Sequence, residues 1–123
     1  MASAVLILVV EEHGDGGENL ARNISMEGYC VVRARGTREA LALIEQDRPD
    51  LIVAADVAGE RLVGSLEGAA AHADCPIVAV GKHEPVPPSR FVRRFLRRPL
   101  DPSQLLSAIR ALCESPEQPA ETD

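Results

Sequence analysis

Two adjacent carboxylates, Glu11 and Glu12, directly follow the first apolar run of the sequence, residues 5–10 (VLILVV). A short aliphatic run bounded by charge is typical of a strand buried on both faces of a parallel sheet. Open α/β sheets bind their ligands at the carboxyl ends of such strands. Neighbouring like charges are costly unless a cation neutralises them, and Mg²⁺ prefers carboxylate oxygens. The pair therefore predicts a cation-binding edge, with a polar strand exit that carries no chemistry as the alternative.

The composition limits the classes of function. The chain has 123 residues, enough for one domain with one core, and its formal net charge is −6. This acidic balance and the scarcity of aromatic side chains argue against a nucleic-acid-binding protein. No apolar stretch approaches the ~20 residues that cross a bilayer, and no basic segment precedes the first apolar run, so neither a membrane span nor a signal peptide is predicted. The three cysteines are far apart, which favours buried thiols in the cytoplasm over disulfides or a zinc site.

Alternating strand and helix patterns predict an α/β domain. Further strands are expected over residues 29–34, 51–55 and 76–80 and near 95–96. Helices are expected up to Gly28, from a Thr37 cap to residue 46, and from residue 101 to about 112. The alternation indicates a parallel sheet between two helical layers, a flavodoxin-like three-layer fold with strand order 2-1-3-4-5.

The segments after the third and fourth strands are short for full helices. Residues 61–73 predict a short helix rich in Ala and Gly, and the prolines at 85, 87 and 88 exclude a regular helix from the following connection. We therefore expect both the third and the fourth helix of the fold to be shortened. Residues 1–113 are expected to form the domain, and residues 114–123 (ESPEQPAETD) an acidic, disordered tail.

Several segments, taken in order, resemble the receiver domain of two-component response regulators. They are ILVVEE at 7–12, EGY at 27–29, AL at 40–41, RPDLIV at 48–53, CPIV at 75–78 and RPLDP at 98–102. The resemblance covers residues 4 to about 113. It implies Mg²⁺-dependent phosphoryl transfer from a kinase histidine to an aspartate at the end of the third strand. It also implies a Thr or Ser ending the fourth strand and a Lys ending the fifth, which bind the phosphoryl group, and an aromatic residue on the fifth strand that moves inward.

The phosphoacceptor position departs from this pattern. Counting from Pro49 without a gap places Ala55 there, and Asp56 follows one residue later. Adjacent strand side chains point to opposite faces, so Asp56 reaches the site only if a bulge shifts the register. Gly64 favours such a bulge, because receivers often carry Gly eight residues after their acceptor. The sequence is compatible with either residue at the phosphoacceptor position.

The other functional positions are also changed. Gly81 replaces the hydroxyl residue, Phe95 stands at the aromatic position, and Arg98 replaces Lys before Pro99. The guanidinium of Arg is planar and branched, whereas the ammonium of Lys is a compact charge, so this exchange alters a tight phosphate site. Arg98 is expected either to pair permanently with one of the two glutamates or to be a solvated charge. Glu11 and Glu12 are therefore expected to bind Mg²⁺ weakly at best.

An arginine-rich stretch is the one basic concentration in this acidic chain. It comprises Arg90, Arg93, Arg94 and Arg97, together with Arg98. Such a run is usually a solvated face, and the functional alternative is a docking patch for an acidic protein.

The leading hypothesis is a degenerate receiver, a non-enzymatic cytoplasmic signalling module that contacts a histidine kinase, another signalling protein or a second copy of itself, without phosphorylation. One alternative is a working Mg²⁺-dependent phosphoacceptor that uses Asp56. Another is a small nucleotide-binding flavodoxin-like protein, which the acidic residues between 11 and 18 disfavour because they repel phosphates.

Overall fold

The structure is a computed structural model that describes residues 5–11, 17–55, 75–82, 92–97 and 101–113. The strands are β1 (Leu6–Glu11), β2 (Cys30–Ala34), β3 (Leu51–Ala55), β4 (Ile77–Gly81) and β5 (Val92–Arg97). The described helices are α1 (Gly17–Ser25), α2 (Thr37–Asp47) and α3 (Pro102–Cys113). The segments that hold the two predicted short helices, and the tail after residue 113, lie outside these ranges.

The five strands form one sheet in the order β2-β1-β3-β4-β5, and all neighbouring pairs are parallel. This confirms the predicted flavodoxin-like topology. The three central strands are buried along their whole length apart from Leu6, which is partly exposed. Their continuous apolar sequences follow from this position, since helices cover both faces of a parallel sheet.

Alternation along each strand divides the core into two layers. Ile7 and Val9 of β1 pack with α1 and α3 in one cluster, whereas Leu8 and Val10 pack with α2 in the other. Aliphatic side chains supply nearly all of both clusters, and Tyr29 is the aromatic member of the buried set. The period of two therefore fixes which strand residues face which helices.

The edge strand β5 is longer than the sequence indicated and contains an irregularity. Its pairing with β4 passes from Ile77↔Val92 to Val78↔Arg94, so that Arg93 is an extra residue. Because of this insertion, Val92 and Phe95 both pack on the α2 side, although they are three residues apart. A bulge and exposed charges on an edge strand also discourage pairing with other chains.

Local interactions end and begin the helices. Gly28 follows α1 with φ of 100°, a conformation that favours glycine. Thr37 does not cap α2 as expected: Gly36 is the cap residue without a side-chain hydrogen bond, and the Glu39 carboxylate instead accepts a bond from the Arg35 N–H at 2.9 Å. Asp101 caps α3, where its Oδ1 accepts bonds from the Ser103 N–H and hydroxyl at 3.0 and 2.8 Å. Among the described residues, no helix is long and apolar enough to cross a membrane.

Candidate functional site

The candidate site lies at the carboxyl edge of the sheet, around the last residue of β1. Glu11 is 6% exposed, and it is the charged residue of the buried set. In the register of the sheet it lies beside Ala55 of β3, and Ala55 in turn lies beside Val80 of β4. Residues directly opposite one another in a parallel sheet point to the same face, so Glu11 extends over an otherwise apolar row.

A cation from the neighbouring strand approaches this carboxylate. Arg33 of β2 lies beside Val9, two residues before Glu11, and its Nη2 is 3.7 Å from Glu11 Oε1. The Glu11 side chain is 8% exposed and that of Arg33 is 46% exposed. The guanidinium therefore meets solvent on one side and a buried carboxylate on the other, and its charge lowers the cost of burying Glu11.

Arg33 was not among the residues predicted from the sequence. The counter-ion expected there was Arg98, which lies outside the described residues. The signal was nevertheless present, because Arg33 interrupts the second apolar run (YCVVRA, 29–34) near its carboxyl end. The predicted order 2-1-3-4-5 already placed β2 beside β1, and a cation on β2 can therefore reach Glu11.

The register at the end of β3 bears on the position of the acceptor. The pairing of β1 with β3 runs without interruption from Ile7↔Leu51 to Glu11↔Ala55. No extra residue is therefore inserted in β3 before or at Ala55, whose methyl group lies next to Glu11 in the sheet and is 1% exposed. Asp56 follows outside the described residues.

The ends of β4 and β5 are joined by contacts that do not involve a hydroxyl. Gly81 is the last residue of β4 and lies in register with Arg97. Arg97 Nη1 donates a hydrogen bond of 3.0 Å to the Lys82 carbonyl, and its Cζ lies 5.9 Å from the centre of the Phe95 ring. Phe95 is partly buried against the α2-side core. One arginine thus contacts both the residue after β4 and the aromatic side chain of β5.

The described residues contain only part of the predicted site. Glu12, Asp56, Arg90, Arg98 and Pro99 lie outside them. Within the described ranges, no three His, Cys, Asp or Glu side chains come close enough together to hold a metal ion. The arginines at 93, 94 and 97 lie on β5, where all three are exposed.

Comparisons with known proteins agree with this architecture, although no protein-family model matches the chain. The response regulator MprA of Mycobacterium tuberculosis H37Rv is 34% identical over 131 aligned positions, which cover 97% of this chain and 56% of that protein. MprA of Mycolicibacterium vanbaalenii is 48% identical over 60 residues, 49% of this chain and 26% of the relative. A CheY-like receiver domain from Methanospirillum hungatei superposes with a TM-score of 0.80 at 23% identity, covering 96% of this chain and 100% of the other.

The chain is a response-regulator receiver domain. A second solved structure, the chemotaxis protein CheY4 of Vibrio cholerae, shares the fold with a TM-score of 0.72 at 18% identity, over 89% of this chain and 99% of that one. The receiver spans 56% or less of the length of the two curated relatives described above. Receiver domains belong to two-component signalling and are in general signalling modules rather than enzymes.

Proposed function

We propose that this receiver domain signals through protein–protein contact and without a phosphorylation cycle. The observation that carries the proposal is the environment of Glu11, which has a guanidinium at 3.7 Å and a methyl group beside it in the sheet. In the working receiver pattern, the same edge of the sheet needs a divalent ion and an aspartate.

The first argument concerns the metal. Mg²⁺ binds carboxylates in near-octahedral geometry and retains several waters. Arg33 brings a fixed positive charge to Glu11 from within the fold, so an incoming ion would have to compete with it. Glutamates in place of aspartates also position their oxygens differently, since the side chain is one methylene longer. Both features favour a receiver that binds Mg²⁺ weakly at best.

The second argument concerns the acceptor and the switch. Ala55 has no side-chain carboxylate to phosphorylate, and Gly81 has no hydroxyl to bind a phosphoryl group. The link between the ends of β4 and β5 is instead made by Arg97, through the Lys82 carbonyl and the Phe95 ring. These contacts need no phosphoryl group. They support the proposal that the surface at the ends of β4 and β5 is held in one conformation.

The partner we propose is an acidic signalling protein, a histidine kinase among the candidates, with a second copy of the chain as the alternative. The support is the set of exposed arginines on β5, Arg93, Arg94 and Arg97, with Arg90 preceding them in the sequence. Charges of this kind accelerate encounter with a complementary surface and are screened by salt. Nucleic acid and membrane are not proposed as partners, and the cytoplasm is the location we propose.

Phosphodonor treatment tests the absence of phosphorylation. The protein is incubated with acetyl phosphate and Mg²⁺ and its intact mass is measured, and beryllofluoride is tested in parallel by NMR. We expect the mass and the spectra to remain unchanged, because the acceptor position holds a methyl group. A Mg²⁺-dependent adduct that disappears in Asp56→Asn but persists in the control Asp47→Asn would overturn the proposal.

That outcome would establish the second candidate function, a Mg²⁺-dependent phosphoacceptor that uses Asp56. The observation in its favour is the position of Asp56 directly after Ala55, eight residues before Gly64. In that case Arg33 would have to leave Glu11 when the ion binds, and the arrangement seen here would be the resting state.

Charge reversal tests the partner surface. The double variant Arg90→Glu with Arg93→Glu should lose the bound protein in pull-downs from the native host, while its circular dichroism stays native. The control is Arg35→Glu with Arg38→Glu, which reverses two exposed charges at the start of α2. An unchanged set of captured proteins in the test variant would place the partner surface elsewhere.

A further inference from the structure

The outer side of helix α2 carries an ordered row of exposed side chains. Arg38, Ala42 and Glu45 are all exposed and are spaced by four and three residues, so they lie along one side of the helix. The buried residues Ala40 and Ile44 lie on the opposite side and pack in the α2-side core. The row therefore faces solvent, with a cation near its start, a small apolar residue within it and an anion near its end.

Neither charge of this Arg38–Glu45 row is neutralised by another described residue. No ion pair within the described ranges involves Arg38 or Glu45. They are seven residues apart, about 10 Å along the helix, which is too far for direct contact. The residues that follow Arg38 and precede Glu45 by four positions are Ala42 and Leu41, and neither is charged.

The two charges also oppose the helix dipole. Anions are favoured at the N-terminus of a helix and cations at its C-terminus. Helix α2 has Arg38 in its first turn beside the favourable Glu39, while its last turn holds Glu45 and Asp47 and no basic residue. A second helix that runs in the opposite direction would correct this arrangement, because its anionic end would lie beside the cationic end of the first.

A small apolar area lies between the two charges. Leu41 is partly exposed, and it is not among the side chains that pack against the α2-side core, whereas Leu43 is. Together with Ala42 it leaves apolar surface in contact with water. Helices approach one another to within about 8–10 Å, and a small residue such as Ala42 favours the closer end of this range.

We propose that the Arg38–Glu45 row is an interface between two copies of this chain. Two-fold symmetry suits the row, because exchanging its ends exchanges the signs of its charges. With the axis perpendicular to α2 and midway between Leu41 and Ala42, the two helices run antiparallel. Arg38 of each copy then lies opposite Glu45 of the other, and the apolar residues of both copies meet at the centre.

The size of the contact predicts a weak dimer. The 11 residues of α2 span about 16 Å, and one pair of such helices buries less than the ~1,200 Å² of a stable interface. At the outer ends, Arg35 would lie near Asp47 and Arg48 of the other copy, whose charges offset each other. The dimer is therefore transient, is weakened by salt and dissociates at the micromolar concentrations of a pull-down. Its formation depends neither on phosphorylation nor on the arginines of β5.

Charge reversal at either end of the row provides the test, in the whole 123-residue chain at low salt. Association is measured by sedimentation equilibrium and by NMR spectra recorded from micromolar to millimolar protein. In the wild type, the resonances of residues 38–45 should shift with concentration, and added salt should reverse the shift. Arg38→Glu and Glu45→Arg each place like charges opposite one another, and each should weaken association by about tenfold or more.

Mixing the two variants distinguishes this interface from a general effect of charge. In an equal mixture, Arg38→Glu meets Glu45→Arg with opposite charges at both contacts, so the mixture should associate about as strongly as the wild type. Both changes suit the helix dipole better than the native residues, so a loss of association would not result from unfolding. The control is Arg22→Glu, which makes the same change of charge at an exposed residue of α1 and should leave association unchanged.

Three results would overturn the proposal. The first is a wild-type protein whose spectra do not change up to millimolar concentration. The second is a set of concentration-dependent shifts confined to β5 or α3, which would place self-association on another surface. The third is a mixture of the two variants that associates no better than its components.

Discussion

Removal of the positive charge at Arg33 is the most direct test of the site. Arg33→Met keeps most of the aliphatic stem and deletes the guanidinium, so the change addresses charge more than packing. Glu11 is 6% exposed and would then lose a cation at 3.7 Å. We expect a lower free energy of unfolding and, at the same time, a stronger interaction of Glu11 with added divalent ions.

The magnitude follows from the exposure of the two partners. Removing one member of a fully buried ion pair costs about 3–5 kcal/mol, whereas an exposed pair contributes about 0–1 kcal/mol. Here one side chain is 8% exposed and the other 46%, and their charged atoms are 3.7 Å apart. An intermediate loss of about 1–2 kcal/mol is therefore expected, which for a domain of this size lowers Tm by roughly 4–8 °C.

Chemical and thermal unfolding with and without Mg²⁺ measure both effects. The matched control is Arg35→Met, an exposed arginine two residues later, which should change stability by less than about 0.5 kcal/mol. About 10 mM MgCl₂, compared with NaCl of equal ionic strength, should stabilise Arg33→Met and leave the wild type unchanged, because only binding to the folded state raises its stability. The reasoning is wrong if Arg33→Met and Arg35→Met are equally stable, or if Mg²⁺ stabilises the wild type to the same extent.

Substitutions at three further positions test the sheet register, the cap of α3 and the packing of α3. Ala55→Asp places a second carboxylate beside Glu11 in the sheet, and we expect the free energy of unfolding to fall by about 2–4 kcal/mol in EDTA. Urea unfolding should show that Mg²⁺ partly restores this loss. An unchanged unfolding midpoint in EDTA would contradict the register. Asp101→Ala removes the cap of α3, which accepts two bonds from Ser103, and should cost about 1 kcal/mol, whereas Asp101→Asn should cost less. Leu105→Ala, at a side chain that is fully buried between α3 and the sheet, should cost about 2–5 kcal/mol, and a value below about 1 kcal/mol would show that α3 packs differently.

The fold was predictable from the sequence because its pattern is local. Each central strand is a short aliphatic run, and burial on both sheet faces requires such runs without polar interruptions. Breaks such as Gly28 and the Arg48–Pro49 pair stand where the structure ends its helices, and Asp101–Pro102 stands where the last helix begins. With strands and helices alternating, right-handed crossovers leave few topologies to choose from.

The bulge in β5 was not predictable in this way. A strand was expected only near residues 95–96, because arginines interrupt the apolar pattern before it. The extra residue Arg93 lets Val92 and Phe95 pack on one side, which contradicts a simple period of two. Only the pairing with β4 reveals which residue is inserted, since a bulge is defined by its partner strand.

For the candidate site, as for the fold, some features were predictable from the sequence and others were not. The sequence by itself determined which chemical groups the chain carries and lacks: glutamates at positions 11 and 12, an alanine and a glycine at the ends of β3 and β4, and arginines along β5. These are residue types, and they follow from aligning the sequence with the receiver pattern. The tertiary structure alone decided that Arg33 serves Glu11, that Ala55 lies beside that carboxylate, and that Arg97 joins Phe95 to the end of β4. The physical reason is that ion pairs and ring contacts act over a few ångströms between strands that are distant in sequence, and the sheet register sets those distances.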